Sequence, residues 1–152
     1  MKMMNPLLVV KDMDRSVAFY HRVLGLEVVM DFGANKTLTG GLVLQTLDTW
    51  RSLIGTDSVS FGSNSTEVYF EEDEFDRFAA HLAACGVDYV HPVKEHAWGQ
   101  RVVRIYDPDR HVIEIGENIR AVCRRFLDSG MTAEETAARM DVPVAFVQDC
   151  MR

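Results

Sequence analysis

The pattern of apolar and polar positions describes one short structural unit that the chain uses twice. Residues 7–10 form an apolar run typical of a buried strand, and residues 16–24 carry apolar side chains at the spacing of one helix face. Asp12 and Asp14 supply acidic capping groups before this helix, and Gly25 follows its last turn. Three further strands are predicted over residues 26–32, 36–39 and 42–47. Residues 48–54 fit either a short helix or a loop.

The same order returns in the second half. A strand is predicted over residues 67–71, a helix over 75–85 behind the acidic residues Asp73 and Glu74, and strands over 87–93, 100–106 and 111–116. Gly86 ends the second helix about sixty residues after Gly25 ends the first. We therefore predict an α+β fold of paired βαβββ modules, in which two units form a curved sheet around a shared cavity. Residues 1–117 make this domain, and residues 118–152 form a helical tail.

Composition and charge limit the classes of binding partner and the cellular location that can be expected. A hydrophobic fraction of 47% over 152 residues supports one core, and a formal net charge of −7 disfavours broad attraction to nucleic acids or anionic membranes. No apolar segment is long enough for a signal peptide or a membrane span. The cysteines Cys85, Cys123 and Cys150 are odd in number and widely spaced, which is typical of buried thiols in a reducing compartment. We therefore expect a cytoplasmic protein.

Several segments resemble the vicinal oxygen chelate superfamily, which includes glyoxalase I, extradiol dioxygenases, fosfomycin-resistance enzymes and bleomycin-binding proteins. The matching segments are residues 10–16, Phe19-Tyr20, Leu24-Gly25-Leu26, residues 98–101 and residues 107–114. The resemblance implies a small-molecule lyase, isomerase, dioxygenase or resistance protein, and it implies a homodimer. It also implies metal ligands, commonly histidine and glutamate, on the first and last strands of each module.

Strand alternation locates those ligand positions in this chain, because successive side chains point to opposite faces of a sheet. Asn5 and Glu67 stand at the two places where the family often has histidine, and Glu114 stands at the place of the family's glutamate. Gln45 is the nearest oxygen donor to the fourth place. Two carboxylates and two amides suit magnesium, calcium or manganese better than the zinc or nickel of ordinary glyoxalase I. A divalent metal and no metal at all are both open, as is a cationic organic group paired with the acids.

The other candidate residues surround the same face. His96 can exchange a proton near neutral pH, so we group it with Glu67 and Glu114 as a candidate catalytic residue. Trp98 offers a wall for a flat ligand, and Arg104 points into the cavity by alternation. Arg104 must pair with an anionic ligand or a carboxylate, and pairing with Glu114 would replace the metal site by a salt bridge. The candidate ligand-binding residues are Trp98, Arg104, Tyr69, Glu71 and Gln45.

The tail contains three helical segments, and residues 131–143 resemble the helix-turn-helix of small bacterial regulators. Residues 144–150 contain no lysine or arginine, whereas DNA-reading helices need cations. We therefore expect the tail to pack its apolar side chains against the main domain or a partner subunit. These side chains are Phe126, Leu127, Met131, Met140, Val144 and Val147.

Three functional hypotheses follow from the sequence. The first is an enzyme in which Glu67 and Glu114 hold a cation or act on a substrate proton with help from His96. The second is a metal-free protein that sequesters a flat or anionic ligand between Trp98 and Arg104. The third, which the charge disfavours, is a ligand-responsive DNA-binding regulator.

Overall fold

A computed structural model describes residues 1–152, and its first half has the predicted element order. Strand β1 is followed by helix α1, which Asp12 caps by accepting a hydrogen bond from the Arg15 amide. Gly25 ends α1 with a φ of 67°, in the left-handed region that favours glycine. The elements of this half are β1 (Leu7–Val10), α1 (Met13–Leu24), β2 (Val28–Asp31), β3 (Asn35–Leu38), β4 (Val43–Thr46) and α2 (Leu47–Ile54). The segment that fitted a helix or a loop is thus the helix α2.

The second half repeats the order strand, helix, strand, strand, strand. Its elements are β5 (Glu67–Glu72), α3 (Phe75–Ala84), β6 (Asp88–Glu95), β7 (Arg101–Tyr106) and β8 (Val112–Glu117). Strand β6 begins one residue later and runs two residues further than the sequence predicted, and it contains His91 as expected. The connection to β7 is reduced to the tight turn 96–100.

The eight strands form two mixed sheets of four. Their strand orders are β1-β4-β3-β2 and β5-β8-β7-β6, with the first pair parallel and the others antiparallel in each sheet. No hydrogen-bond ladder joins β1 to β5, and a cleft of about 280 Å³ lies where these two edges approach each other. The modules are therefore paired as predicted, but one chain alone does not close them into a single curved sheet.

The main core lies on the helix-bearing side of both sheets. Leu44 and Val10 of the first half and Ile105 and Ile113 of the second are fully buried in one apolar cluster. Because side chains alternate along a strand, the opposite face of each sheet is left to polar and partly exposed residues. This opposite face, which we call the open face, carries the candidate site.

Polar contacts also join the halves. The Tyr20 hydroxyl on α1 donates to Asp107 Oδ2 at 2.9 Å, and Arg15 Nη2 lies 2.8 Å from Asp109 Oδ1. Both aspartates belong to the turn between β7 and β8 and are buried. Burial, reinforced by the negative charge of Asp107, holds the pKa of Tyr20 well above its ordinary value.

The tail folds into three helices with an apolar core of their own, which corrects the prediction that its apolar side chains pack on the main domain or a partner subunit; among the predicted residues, Phe126 also contacts the main domain. Helices α4 (Ile119–Asp128), α5 (Ala133–Met140) and α6 (Val144–Cys150) enclose Val122, Cys123, Met140 and Val147. Thr132 and Glu135 form a capping box at the start of α5, a pattern that the sequence itself displays. Three short amphipathic helices can shield one another's apolar stripes, and this explains why most of the tail's apolar side chains turn inward. No helix of the structure is long and apolar enough to cross a membrane.

The two tail cysteines belong to this small core. Burial raises the pKa of the Cys123 thiol to about 11, and a contact with Cys150 acts in the same direction. Both residues are buried, as the sequence predicted, whereas Cys85, directly after α3, is only partly buried.

Candidate functional site

The strand register of the second sheet brings four polar side chains into one row across the open face. Glu114 pairs with Tyr69 on one side and with Arg104 on the other, and Arg104 pairs with His91. Cross-strand partners share a face and lie close enough for their side chains to meet. Alternation along β5 also places Glu67 and Glu71 on this face, since Val68 and Phe70 pack against the core. Glu67, Tyr69, Glu71, Arg104 and Glu114 thus lie on the face to which strand alternation assigned them.

Arg104 occupies the centre of the row and binds both candidate metal-binding carboxylates. Its Nε lies 2.8 Å from Glu67 Oε2, and its Nη2 forms an ion pair with Glu114 Oε2. The Glu114 side chain is only 9% exposed, so its charge depends on this guanidinium for compensation.

His91 completes the surroundings of Arg104. Arg104 Nη1 lies 3.2 Å from His91 Nε2, while His91 Nδ1 lies 2.8 Å from the Pro92 carbonyl oxygen. His91 thus contacts Arg104 through one ring nitrogen and the Pro92 carbonyl of its own strand through the other.

A second group of side chains is linked by hydrogen bonds. Trp98 Nε1 donates to Gln100 Oε1 at 3.1 Å, and Gln100 Nε2 donates to the Tyr69 hydroxyl at 2.9 Å. The Tyr69 hydroxyl donates to Glu71 Oε1 at 3.0 Å. Burial raises the pKa of Tyr69, and the neighbouring Glu71 carboxylate adds to this effect. The result is a continuous polar chain from the turn 96–100 to the exposed carboxylate of Glu71.

The His96 ring stacks on the Trp98 indole, with ring centroids 4.3 Å apart and an angle of 21° between the planes. Burial lowers the pKa of His96, and the positive charges of Arg104 and Lys94 lower it further. His96 is therefore neutral near pH 7. The stacked pair is a flat, partly exposed aromatic surface beside the row of four polar side chains on the open face.

The two remaining candidates belong to the first half of the chain, Asn5 just before β1 and Gln45 on β4, and both make local contacts. Asn5 Nδ2 donates to the Gly41 carbonyl at 2.7 Å. Gln45 is buried, its Oε1 accepts from Asn35 Nδ2 at 2.8 Å, and its Nε2 contacts Thr49 on α2. Within one chain, the structure unites Glu67 and Glu114 but joins neither Asn5 nor Gln45 to them.

These contacts test whether the residues fit the metal that the fold family implies. The space between Glu67 and Glu114 is taken by the Arg104 guanidinium, whose positive charge would repel a metal ion. No group of three or more histidine, cysteine, aspartate or glutamate side chains is arranged to hold a metal ion. The four proposed ligands therefore do not fit a metal site in this chain.

Sequence reasoning missed three residues of the site. Gln100 and Gly116 hold Tyr69 across the sheet: a Cβ at Gly116 would lie 2.9 Å from Gln100 Nε2 and 3.0 Å from the Tyr69 hydroxyl. His91 is the third. Gln100 could have been found by alternation from Val102 and Arg104, whereas Gly116 and His91 required the register between strands.

Comparison with known proteins agrees with this fold. Residues 3–120 match the model of the glyoxalase-like domain. A protein of unknown function from Agrobacterium tumefaciens is 36% identical, with a TM-score of 0.71 over 78% of this chain and 94% of that one. A lactoylglutathione lyase from the same organism is 25% identical, with a TM-score of 0.61 over 78% of this chain and 94% of that one.

A glyoxalase/bleomycin resistance protein/dioxygenase from Nocardioides is 22% identical, with a TM-score of 0.64 over 77% of this chain and 83% of that one. At that identity the likeness concerns the fold alone. The family model and the first relative are sufficient for assignment: the chain belongs to the glyoxalase-like family of the vicinal oxygen chelate superfamily. It is thus a member of a group of small-molecule enzymes and resistance proteins.

Proposed function

We propose that this protein binds a planar, positively charged organic molecule on the open face of the second sheet, without a metal ion. The observation that carries the proposal is the position of Arg104 between Glu67 and Glu114. Through this contact, the two carboxylates that were predicted to bind a metal form salt bridges with Arg104 at the base of the site. It favours the sequestering protein, which was the second of the sequence-based hypotheses.

The charge balance of the face supports a cationic ligand. Three carboxylates, Glu67, Glu71 and Glu114, outnumber the positive charges of Arg104 and of Lys94 near His96. An anion would have to displace a carboxylate from Arg104, at the cost of leaving a buried charge uncompensated. A cation can instead approach the exposed Glu71. We therefore favour a cation over the flat anion that the sequence left open.

The aromatic surface supports a planar ligand. The His96–Trp98 stack lies beside Tyr69, and a flat cation placed on it gains stacking and cation–π attraction together. His96 and Trp98 would form the wall, Tyr69 and Glu71 the polar rim, and Arg104 the structural floor.

The first experiment compares two flat probes of opposite charge. Proflavine, a planar cation, is titrated into the protein in a Trp50→Phe background, so that Trp98 is the fluorescent reporter. Anthraquinone-2-sulfonate, a planar anion, is the matched control. We expect proflavine to quench Trp98 fluorescence saturably. The Glu71→Gln substitution should weaken proflavine binding about tenfold, which corresponds to the loss of a charge pair of ~1.4 kcal/mol. Saturable binding of the anion alone would overturn the proposal.

Metal content is the second test. Protein purified without chelators or a histidine tag is measured by elemental analysis, before and after incubation with magnesium, manganese, zinc and nickel. We expect far less than one metal ion per chain. Stoichiometric metal that disappears in both Glu67→Gln and Glu114→Gln would contradict the metal-free site.

An enzymatic role is the second candidate, and one observation favours it. His96 is neutral near pH 7 because its pKa is lowered, so its imidazole can accept a proton from a molecule bound on Trp98. This candidate predicts turnover that follows the titration of His96 and is lost in His96→Gln. The family relationship to a lactoylglutathione lyase makes α-hydroxythioester formation the first reaction to assay.

The homodimer implied by the family resemblance stays a prediction. Leu7 and Val29 on the first sheet and Tyr69 and Trp98 of the second half are exposed apolar or aromatic groups in the single chain. A second copy covering the open faces would shield them. Light scattering coupled to gel filtration would report twice the chain mass of 17.2 kDa for a dimer.

A further inference from the structure

The C-terminal helices touch the main domain at the turn that carries the aromatic stack. Residues 121–152 lie outside the glyoxalase-like domain, which ends at residue 120. Arg125 Nη2 on α4 donates to the Gly99 carbonyl at 2.7 Å and also lies 3.2 Å from Glu117 Oε2 on β8. The tail is therefore bonded to the turn and to the strand beneath it.

Phe126 makes the closest contact. A Cβ built on Gly99 would lie 2.3 Å from Phe126 Cζ, so the phenyl ring occupies the space that only glycine leaves free. Gly99 also has a φ of 87°, in the left-handed region, and is buried. Backbone conformation and ring packing thus both require glycine at this position.

The ring is fixed from the tail side as well. The Arg125 and Arg139 guanidinium groups lie 5.1 and 5.4 Å from its centroid. Arg139 Nη2 also lies 3.4 Å from Glu95 Oε1, at the end of β6 just before the turn. The tail therefore contacts both the start of the turn and its left-handed glycine.

Inside the turn, backbone hydrogen bonds link Gly99 to the residues of the stacked pair. The Gly99 amide donates to the His96 carbonyl at 2.9 Å, and the His96 amide donates to the Gln100 carbonyl at 2.9 Å. Trp98 lies between these residues and is bonded to the Gln100 side chain. A displacement of Gly99 must therefore move His96, Trp98 or both.

We propose that the C-terminal helices position the His96–Trp98 stack, with Phe126 and Arg125 as positioning residues that determine how tightly a planar molecule binds. This inference rests on the proposed function only for its consequence on binding. The positioning itself is measurable in the unliganded protein. It gives the tail a role that requires neither DNA nor a partner protein.

The test compares two phenylalanines of the tail in the full-length protein, in the Trp50→Phe background. Phe126→Ala removes the contact with Gly99. Phe146→Ala is the matched control, because Phe146 also packs on the tail core and has the Arg120 guanidinium 5.6 Å from its ring, but belongs to α6. Arg125→Gln is a second, milder variant that removes the hydrogen bond to the Gly99 carbonyl.

We expect Phe126→Ala and Arg125→Gln to shift Trp98 emission to the red and to increase its quenching by acrylamide. The pKa of His96, followed by NMR, should rise toward its ordinary value as its burial is lost. Proflavine affinity should fall about fivefold, a typical size for coupling between sites. Phe146→Ala should change none of these. Unchanged Trp98 emission and His96 titration in both Phe126→Ala and Arg125→Gln would overturn the inference.

The two proposals fail separately in this design. If the parent protein does not bind proflavine but Phe126→Ala still shifts Trp98 emission and the His96 titration, the positioning role stands and the proposed ligand is wrong. If the parent binds proflavine and no turn-directed variant alters Trp98 or His96, the ligand stands and the positioning role is wrong.

Discussion

The two sheets use the same strand order, yet their open faces differ in charge. In the first sheet, the row across neighbouring strands is Val9, Gln45 and Asn35, joined by a neutral amide hydrogen bond. In the second sheet, the row in the same strand order is Tyr69, Glu114 and Arg104, joined by an ion pair.

The first row is closed by α2, which contacts Gln45 through Thr49, while the second row remains open beside an aromatic turn. The difference shows how a repeated fold can be specialised in one half only. The neutral row needs no ligand, because Gln45 satisfies both ends of its amide group within the sheet and α2. The charged row is costly to form and is open to solvent, which is the combination found at binding sites. This difference is the reason for proposing the ligand site on the second sheet and a supporting role for the first.

The largest expected effect on stability comes from replacing, in each row, the side chain that donates to the central residue: Arg104, which pairs with Glu114, and Asn35, which donates to Gln45. Arg104→Met leaves Glu114 buried without compensation and should lower the free energy of unfolding by about 3 kcal/mol. Asn35→Leu, of nearly the same shape as the native residue, removes one neutral donor and should cost about 1 kcal/mol. Urea denaturation of both variants measures the difference. Equal losses would mean that the two faces are energetically alike.

The paired change supplies the control for this prediction. In the double variant Arg104→Met/Glu114→Leu, no buried charge is left alone, and most of the lost stability should return. Failure of the double variant to recover would attribute the effect of Arg104→Met to packing and not to charge.

An intermediate effect concerns the contact that unites the two halves. The pKa of Tyr20 is raised in the folded protein, so its stabilising contribution is complete below about pH 10 and is lost as the pH rises further. Above that pH, the unfolding free energy of the parent should fall more steeply than that of Tyr20→Phe, by about 1.4 kcal/mol per pH unit. Parallel pH profiles would show that the phenol titrates alike in both states.

The smallest expected effect tests whether the backbones of the two halves are alike at the ends of their helices. Gly25 and Gly86 follow the two module helices with φ of 67° and 63°, and a Cβ at either position meets nothing within 4 Å. Alanine at either site should therefore cost about 1 kcal/mol, from backbone conformation alone. Thermal denaturation of Gly25→Ala and Gly86→Ala should give matching losses, and a clear inequality would show that the repeat differs in its backbone as well.

Much of this architecture could be predicted from sequence because it depends on local interactions. The repeated strand–helix–glycine order, the capping box at Thr132 and the inward direction of Glu67, Glu114 and Arg104 follow from periodicity and capping. The prediction that an Arg104–Glu114 contact would replace the metal site was a conditional one, and the structure meets its condition.

The sequence by itself determined the family, the two modules and the face on which each charged residue lies, because hydrophobic alternation and helix-ending signals act between neighbours in the chain. Only the tertiary structure decided which charges pair, that the tail encloses its own core, and that Phe126 fills the space above Gly99. Those features depend on strand register and on contacts between residues far apart in the chain, such as Glu67 and Arg104, whose separation in sequence carries no record of their meeting.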